Sequence, residues 1–465
     1  MRLSWRQARA LTLTGVCTFC SSGLIFGLSS LYPILYAEAA FTGGCNDGTG
    51  LTDCQGLSSA GEKCCENQLV AIAAVSTAAF FGSDVAIVIY GEVADRLGPR
   101  VCFAVAASLS VLGLLLAATA ALLASDLLWT ASFVLMGLGG PGTFIATLSF
   151  TERWRSLSAI FTTVTAATFD SSSLVYLIFN ATYFGYGLPL PLIALGWAGL
   201  VTATALPMYR LLPSQKELGE LRTHRKLSGE QPGGAGDSST VAFLGAPQRV
   251  DLLMLIGFIA VYNLKSTYYI VSFSDMQRRL FSQARAQELD LAFHLAFPLG
   301  AFACAFVAAI TLHTAQNQPH IYIGLCLLLA NVFSFLSCSA NFESQLLGAL
   351  LFGAARTSQW AAYFHFLTAT LPPERLGRVL GYGGLFIALL SDGTPNLLNA
   401  YVLRARWPLT VHERYLAVHI ALAVPIALSV ALPIYLRSRS YRDRISGGRL
   451  SQRLLHRTDA GANTI

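Results

Sequence analysis

The sequence predicts an all-α membrane protein with twelve transmembrane helices in two pseudo-symmetric six-helix bundles. Three observations predict it. The 465-residue chain is 54% hydrophobic and 12% charged, against about 25% charged for a soluble domain. Apolar runs of about 20 residues, long enough to cross a bilayer, recur along its whole length. Polar landmarks in the first half also return in the second at one fixed offset.

The runs fall at 11–36, 68–90, 101–123, 127–149, 157–179, 187–209, 250–272, 289–312, 319–339, 346–370, 379–403 and 414–436. The first is too long for a cleavable signal sequence and no small-residue cleavage site follows, so it reads as a span. Positive charge orients the set. With both termini in the cytoplasm, 22 Lys and Arg residues fall inside and seven outside, and Lys265 and Arg356 lie within spans. The net charge of +6 is therefore a topology signal, and no nucleic-acid partner is expected. The expectation is a multi-pass plasma-membrane protein that is monomeric and embedded in the lipid bilayer.

The offset is 222 residues: it takes Glu152-Arg153 to Glu374-Arg375, Asp170 to Asp392, and Asp95 to Asn317. Two related halves imply a site near the midplane between them. The organisation predicted is an N-terminal bundle (1–210), a flexible cytoplasmic linker (211–249), a C-terminal bundle (250–436) and a basic cytoplasmic tail (437–465). The linker contains the run Q-P-G-G-A-G-D-S-S-T, Gln231 to Thr240, a composition that favours a flexible chain.

Between the second and third runs stands G-E-V-A-D-R-L-G-P-R, Gly91 to Arg100. Gly91 and Gly98 permit close backbone approach, Asp95 suits a helix N-terminus, and Arg96 and Arg100 hold the turn at the cytoplasmic side. This G-x-x-x-D-R-x-G-x-R pattern resembles the loop between helices 2 and 3 of the major facilitator superfamily, and the resemblance implies a gating role for Gly91, Asp95, Arg96, Gly98 and Arg100.

The cysteines divide by compartment. Cys45, Cys54, Cys64 and Cys65 lie in the first outer loop, where an oxidising space favours up to two disulfides. The pairing is open, although a bond between the adjacent Cys64 and Cys65 is strained. No nucleophile–base motif, phosphate loop or metal-ligand spacing occurs, so no enzyme activity, cofactor or metal is expected.

Ionisable residues inside spans carry the functional argument, because each is costly in hydrocarbon unless it meets a partner or a wet cavity. Asp170 in helix 5 and Asp392 in helix 11 share a depth, and Gly393 and Pro395 predict a break in helix 11. Arg356 stands near the middle of helix 10, with Gln359, Trp360 and Tyr363 on the turns that follow. Lys265 lies in the outer part of helix 7. Asp84, in the inner half of helix 2, is expected to organise the cytoplasmic gate. The solute-contacting set predicted is Arg356, Asp170, Ser171, Ser172, Gln359, Trp360, Tyr363, Lys265 and Asp392.

A narrower resemblance rests on four features. They are F-D-S-S-S-L-V-Y-L-I-F (Phe169 to Phe179), the cysteine-containing outer loop, Arg356 followed by Ser358, Ala361 and Ala362, and L-P-P-E-R-L-G-R-V-L-G (Leu371 to Gly381). These are similar to solute-carrier family 43, which holds large-neutral-amino-acid facilitators and an equilibrative nucleobase transporter, and to the related apicomplexan amino-acid transporters. The resemblance implies sodium-independent facilitated diffusion. Arg356 and Asp170 would complement the carboxylate and ammonium of an amino acid. Trp360, Gln359 and the helix-5 serines would suit a nucleobase. The expected function is a uniporter for amino acids working by alternating access, with a purine nucleobase as the other solute class. A proton-coupled symporter and a non-transporting receptor are the remaining readings.

Overall fold

The computed structural model describes residues 4–45, 52–53, 63–64, 66–227, 246–315, 318–371, 373–391, 394–404 and 408–438. Within these the chain is almost wholly helical. The first span is α1 (Trp5–Ser21), a 3-10 turn (Leu24–Gly27) and α2 (Leu28–Ala37). The second, third and fourth are α3 (Glu66–Arg96), α4 (Pro99–Leu123) and α5 (Asp126–Thr147). After a short α6 (Ser149–Arg153), the fifth span is α7 (Ser158–Ser171) followed by α8 (Leu174–Tyr186), and the sixth is α9 (Leu190–Leu211).

The second half begins after α10 (Gln215–Leu227). Spans seven to ten are α11 (Ala246–Leu280), α12 (Gln283–Thr314), α13 (Pro319–Leu336) and α14 (Phe342–Thr370). The eleventh is α15 (Pro373–Ser391) with α16 (Thr394–Arg404), and the twelfth opens with α17 (Val411–Leu428). A two-residue antiparallel ribbon in the first outer loop pairs Thr52 with Cys64 and Asp53 with Lys63.

Local chemistry explains several boundaries. Ser4 and Gln7 form a reciprocal capping box at the start of α1, and Asn341 accepts the Glu343 amide at 3.0 Å to open α14; such caps each contribute about 1 kcal/mol. Gly98 holds φ at 91°, and Pro99 occupies the first helical position of α4, so α3 turns back within two residues. The fifth span contains neither glycine nor proline from 157 to 179, yet it is interrupted after Ser171. There the Ser172 hydroxyl donates to the Phe169 carbonyl at 2.7 Å and the Ser173 hydroxyl to the Asp170 carbonyl at 2.8 Å. These bonds compete with the helical ladder. In the eleventh span, α15 ends at Ser391 and α16 begins at Thr394; Asp392 and Gly393 lie outside the described residues.

Eight helices among the described residues are long and apolar enough to cross a membrane, with Leu376–Ser391 as a shorter apolar helix. The eight are spans two, three, four, six, seven, eight, nine and twelve. Spans one, five, ten and eleven are left over, and the first and fifth of these are interrupted within the described residues. All four contribute to the wall of the central cavity described below. Spans two, four and seven complete that wall.

The lobes meet along α3 against α15, and along α7 against α12 and α14. Part of the segment expected to be flexible is ordered: α10 is a helix, joined to the N-terminal lobe by a bidentate pair from Arg222 to Glu152 at 2.7 and 2.9 Å. Residues 228–245, including Gln231 to Thr240, lie outside the described residues. In the outer loop Cys45 is disulfide-bonded and Cys64 sits in the ribbon, while Cys54 and Cys65 lie outside the described residues.

Candidate functional site

The midplane holds one inter-lobe ionic network. Arg356 on α14 is 2% exposed and Asp170, at the end of α7, is 1% exposed. Arg356 Nε donates to Asp170 Oδ1 at 3.1 Å, and Thr357 Oγ1 donates to Asp170 Oδ2 at 2.9 Å. Arg356 Nη1 reaches Asn263 Oδ1 on α11 at 3.5 Å. Asn263 Nδ2 in turn donates to Ser391 Oγ at 2.7 Å. The guanidinium carbon lies 4.9 Å from the centre of the Phe26 ring, a cation–π distance. The pair ties the fifth span to the tenth, one from each lobe. Removing either partner from such a buried pair costs about 3–5 kcal/mol, because the other is left uncompensated.

Beside this network lies a cavity of about 80 Å³, walled by both lobes. Organic-solute pockets usually run to about 300–1,000 Å³, so the lobes must part before such a solute enters. Asp170, Arg356, Asn263, Trp360 and Tyr363 line it, as do Ser83 and Asp84 of α3. Its aromatic wall is continuous across the interface. Phe26 lies 5.6 Å from Phe169, Phe169 5.3 Å from Phe144, and Phe144 4.6 Å from Phe364. Phe364 stacks on Trp360 at 5.6 Å, and Trp360 meets Tyr363 at 5.8 Å.

Other residues predicted to contact solute are placed elsewhere. The Ser171 hydroxyl donates to the Pro298 carbonyl across the lobes at 2.9 Å. That of Ser172 is spent on the break in the fifth span. Gln359 Nε2 donates to the Ile259 carbonyl at 3.2 Å. None of the three lines the cavity. Lys265 is fully buried within the C-terminal lobe, where Nζ meets His419 Nδ1 at 2.8 Å and the His419 carbonyl at 3.0 Å. It is not in the cavity wall either. Asp392 lies outside the described residues.

Sequence reasoning also missed residues. Asp84, expected at the gate, faces the central cavity instead. Phe26, Phe144 and Phe364 were not singled out. A carboxylate in mid-span was a usable signal for Asp84; the phenylalanines carry none, since apolar rings are equally at home against lipid.

The loop motif closes the face that carries the N-terminus. A Cβ on Gly91 would collide with the Gly377 carbonyl oxygen, and one on Gly377 with that of Gly91, so α3 and α15 touch backbone to backbone. Asp95 accepts the Gly377 amide at 3.2 Å and the Arg378 amide at 2.9 Å in the early turns of α15, where the helix dipole favours an anion. Glu92 receives Arg96 at 2.8 Å and Arg378 at 3.2 Å. Arg100 Nε donates to the Leu212 carbonyl at 2.6 Å, which holds the start of α4 to the end of α9. On the opposite side of the cavity, Ser30 and His294 Nδ1 approach to 3.4 Å across the lobes.

Two six-helix lobes that touch on both sides of an aromatic-walled central cavity are the arrangement of a secondary transporter. The chain belongs to the major facilitator superfamily, whose family model matches residues 9–391. It is thus a multi-pass membrane protein of a family that carries small-molecule solutes across the bilayer.

Solved structures share the fold. The human organic anion transporter MFSD10 (TETRAN) aligns with a TM-score of 0.61 at 15% identity, covering 93% of this chain and 100% of that one. The proton:xylose symporter XylE, bound to 6-bromo-6-deoxy-D-glucose, aligns with a TM-score of 0.59 at 12% identity, over 92% and 97% of the two chains. The transporter FucP in its outward conformation gives a TM-score of 0.54 at 14% identity, over 92% and 98%. By sequence, Protein FMP42 of Saccharomyces cerevisiae is 27% identical over 190 residues, 39% of this chain and 34% of that protein. The chain thus spans about a third of the length of the curated relative it matches.

Proposed function

We propose that the protein carries amino acids across the plasma membrane by alternating access, as a facilitative uniporter with both termini in the cytoplasm. The observation that carries this reading is the Arg356–Asp170 pair in the wall of the inter-lobe cavity. A zwitterion presents one charge of each sign and can exchange its own pairing for contacts with these groups. The aromatic wall suits an apolar side chain. Solute then shifts the balance between outward-open and inward-open states through its contacts with both lobes. Uniport follows from the solute-carrier family 43 resemblance.

The same aromatic wall supports a second reading, an equilibrative purine nucleobase transporter, because a flat neutral base stacks on Phe and Trp rings. Uptake of radiolabelled arginine, leucine and adenine into cells expressing the chain separates the two. Uptake of either amino acid without adenine supports the first reading, and uptake of adenine alone replaces it with the second.

A further inference from the structure

We propose that a groove between α11 and α15 binds one anionic glycerophospholipid, with its phosphate on the Arg378 guanidinium and an acyl chain along the apolar walls. The groove is separate from the central cavity, and the proposal is independent of which solute is carried.

The groove encloses about 510 Å³ on the surface of the C-terminal lobe. Leu253, Ile256 and Gly257 of α11 form one wall, and Tyr382, Gly383 and Phe386 of α15 form the other. Leu253, Tyr382 and Phe386 are exposed, and an exposed apolar patch on a membrane span marks contact with lipid. Gly257 opens directly into this space: no heavy atom of the described residues lies within 4 Å of a Cβ built there.

One end of the groove is polar. Arg378 lines it in the early turns of α15, next to the Gly91–Gly377 contact that closes the face carrying the N-terminus. Phe386 stands eight residues on, about 12 Å further along the helix and toward Ser391 of the midplane network. A cation at the membrane surface with apolar walls running inward is the polarity that a phospholipid matches.

The charge selects the headgroup. Arg378 Nε lies 3.2 Å from Glu92, a carboxylate that Arg96 also holds at 2.8 Å. The two terminal nitrogens of Arg378 make no hydrogen bond among the described residues, and the side chain is 39% exposed. A guanidinium edge of this kind fits two phosphate oxygens at once, and basic pockets between spans take anionic headgroups.

Native mass spectrometry of the purified full chain tests this, with titration by dioleoylphosphatidylglycerol or by the zwitterionic dioleoylphosphatidylcholine. One phosphatidylglycerol per chain should bind about tenfold more tightly than phosphatidylcholine, the scale of one charge-assisted contact. Gly257→Trp fills the groove away from Arg378 and should remove that tight lipid. Arg378→Gln should bring phosphatidylglycerol down to the level of phosphatidylcholine. Equal affinity for the two lipids in the unaltered chain overturns the proposal, as does full retention of phosphatidylglycerol by Gly257→Trp. Displacement of the lipid by soluble glycerol phosphate also overturns it, since the walls would then contribute nothing.

If the variants do not purify folded, a phosphatidylglycerol bearing a photoreactive diazirine in its acyl chain decides on the unaltered protein. Adducts should map to residues 253–257 or 379–386, and phosphatidylglycerol should suppress them better than phosphatidylcholine. Adducts confined to other segments, or suppressed equally by both lipids, overturn the assignment.

Discussion

Arg356 and Asp170 meet at 3.1 Å across the boundary between the two six-helix lobes, each almost fully buried. A buried pair between parts that must move relative to one another is a conformational contact as well as a stabilising one. It joins the lobes in this conformation.

Replacing Arg356 tests this directly. Arg356→Ala should abolish uptake with surface expression retained, and should destabilise the detergent-solubilised protein, because Asp170 is left without its cation at a cost of about 3–5 kcal/mol. Adding Asp170→Ala should recover much of the thermal stability without recovering transport. Uptake by the double variant at the unaltered rate would mean that the pair is scaffold alone.

The Gly91–Gly377 contact predicts a gate that a single methyl-bearing side chain jams. Gly91→Val should keep α3 and α15 apart and favour conformers open at the face carrying the N-terminus. In a cysteine-free background, a Ser83→Cys reporter in the cavity wall should then label faster with an impermeant thiol reagent applied from that face. Unchanged labelling would show that the contact does not limit access.

The α10 helix should behave as part of the N-terminal lobe. Arg222 and Glu152 are 18% and 9% exposed, and their bonds are bidentate. Arg222→Ala should therefore lower the melting temperature in detergent, by the equivalent of about 1–3 kcal/mol. Arg222→Lys should recover part of that loss, since an ammonium cannot reproduce the guanidinium fork. Identical melting of all three proteins would make the contact energetically idle.

The outer loop makes a covalent prediction. Mass spectrometry of non-reduced peptides should recover Cys45 linked to Cys54, Cys64 or Cys65, with the link lost on reduction. Recovery of Cys45 as a free thiol would contradict it.

Much of the architecture was legible in the sequence because it is written in composition and spacing. The apolar runs gave the spans, and Gly91 to Arg100 marked a close backbone approach, whose partner, α15, only the folded chain supplies. Arg356, Asp170, Trp360 and Tyr363 were legible at the site because ionic and amphipathic side chains in mid-span need a reason to be there. What was lost depends on rotation and on nearest partners. Ser171 and Ser172 read as available donors, but carbonyls within reach consumed them. Lys265 read as a cavity cation, yet its partner is His419 on the twelfth span, invisible in a linear sequence. Asp84 is close in sequence to Gly91, which suggested the gate; its position on α3 places it on the cavity instead. The order in α10 was masked by its polar composition, since Arg222 finds Glu152 only in the folded chain.

The most direct test of alternating access through this cavity is counterflow in proteoliposomes holding the purified chain. Vesicles preloaded with unlabelled arginine or leucine should transiently accumulate the labelled amino acid above its outside concentration, with no sodium gradient, and Arg356→Ala vesicles should not. Equal accumulation by both proteins, or by neither at verified incorporation with each amino acid, would contradict the account.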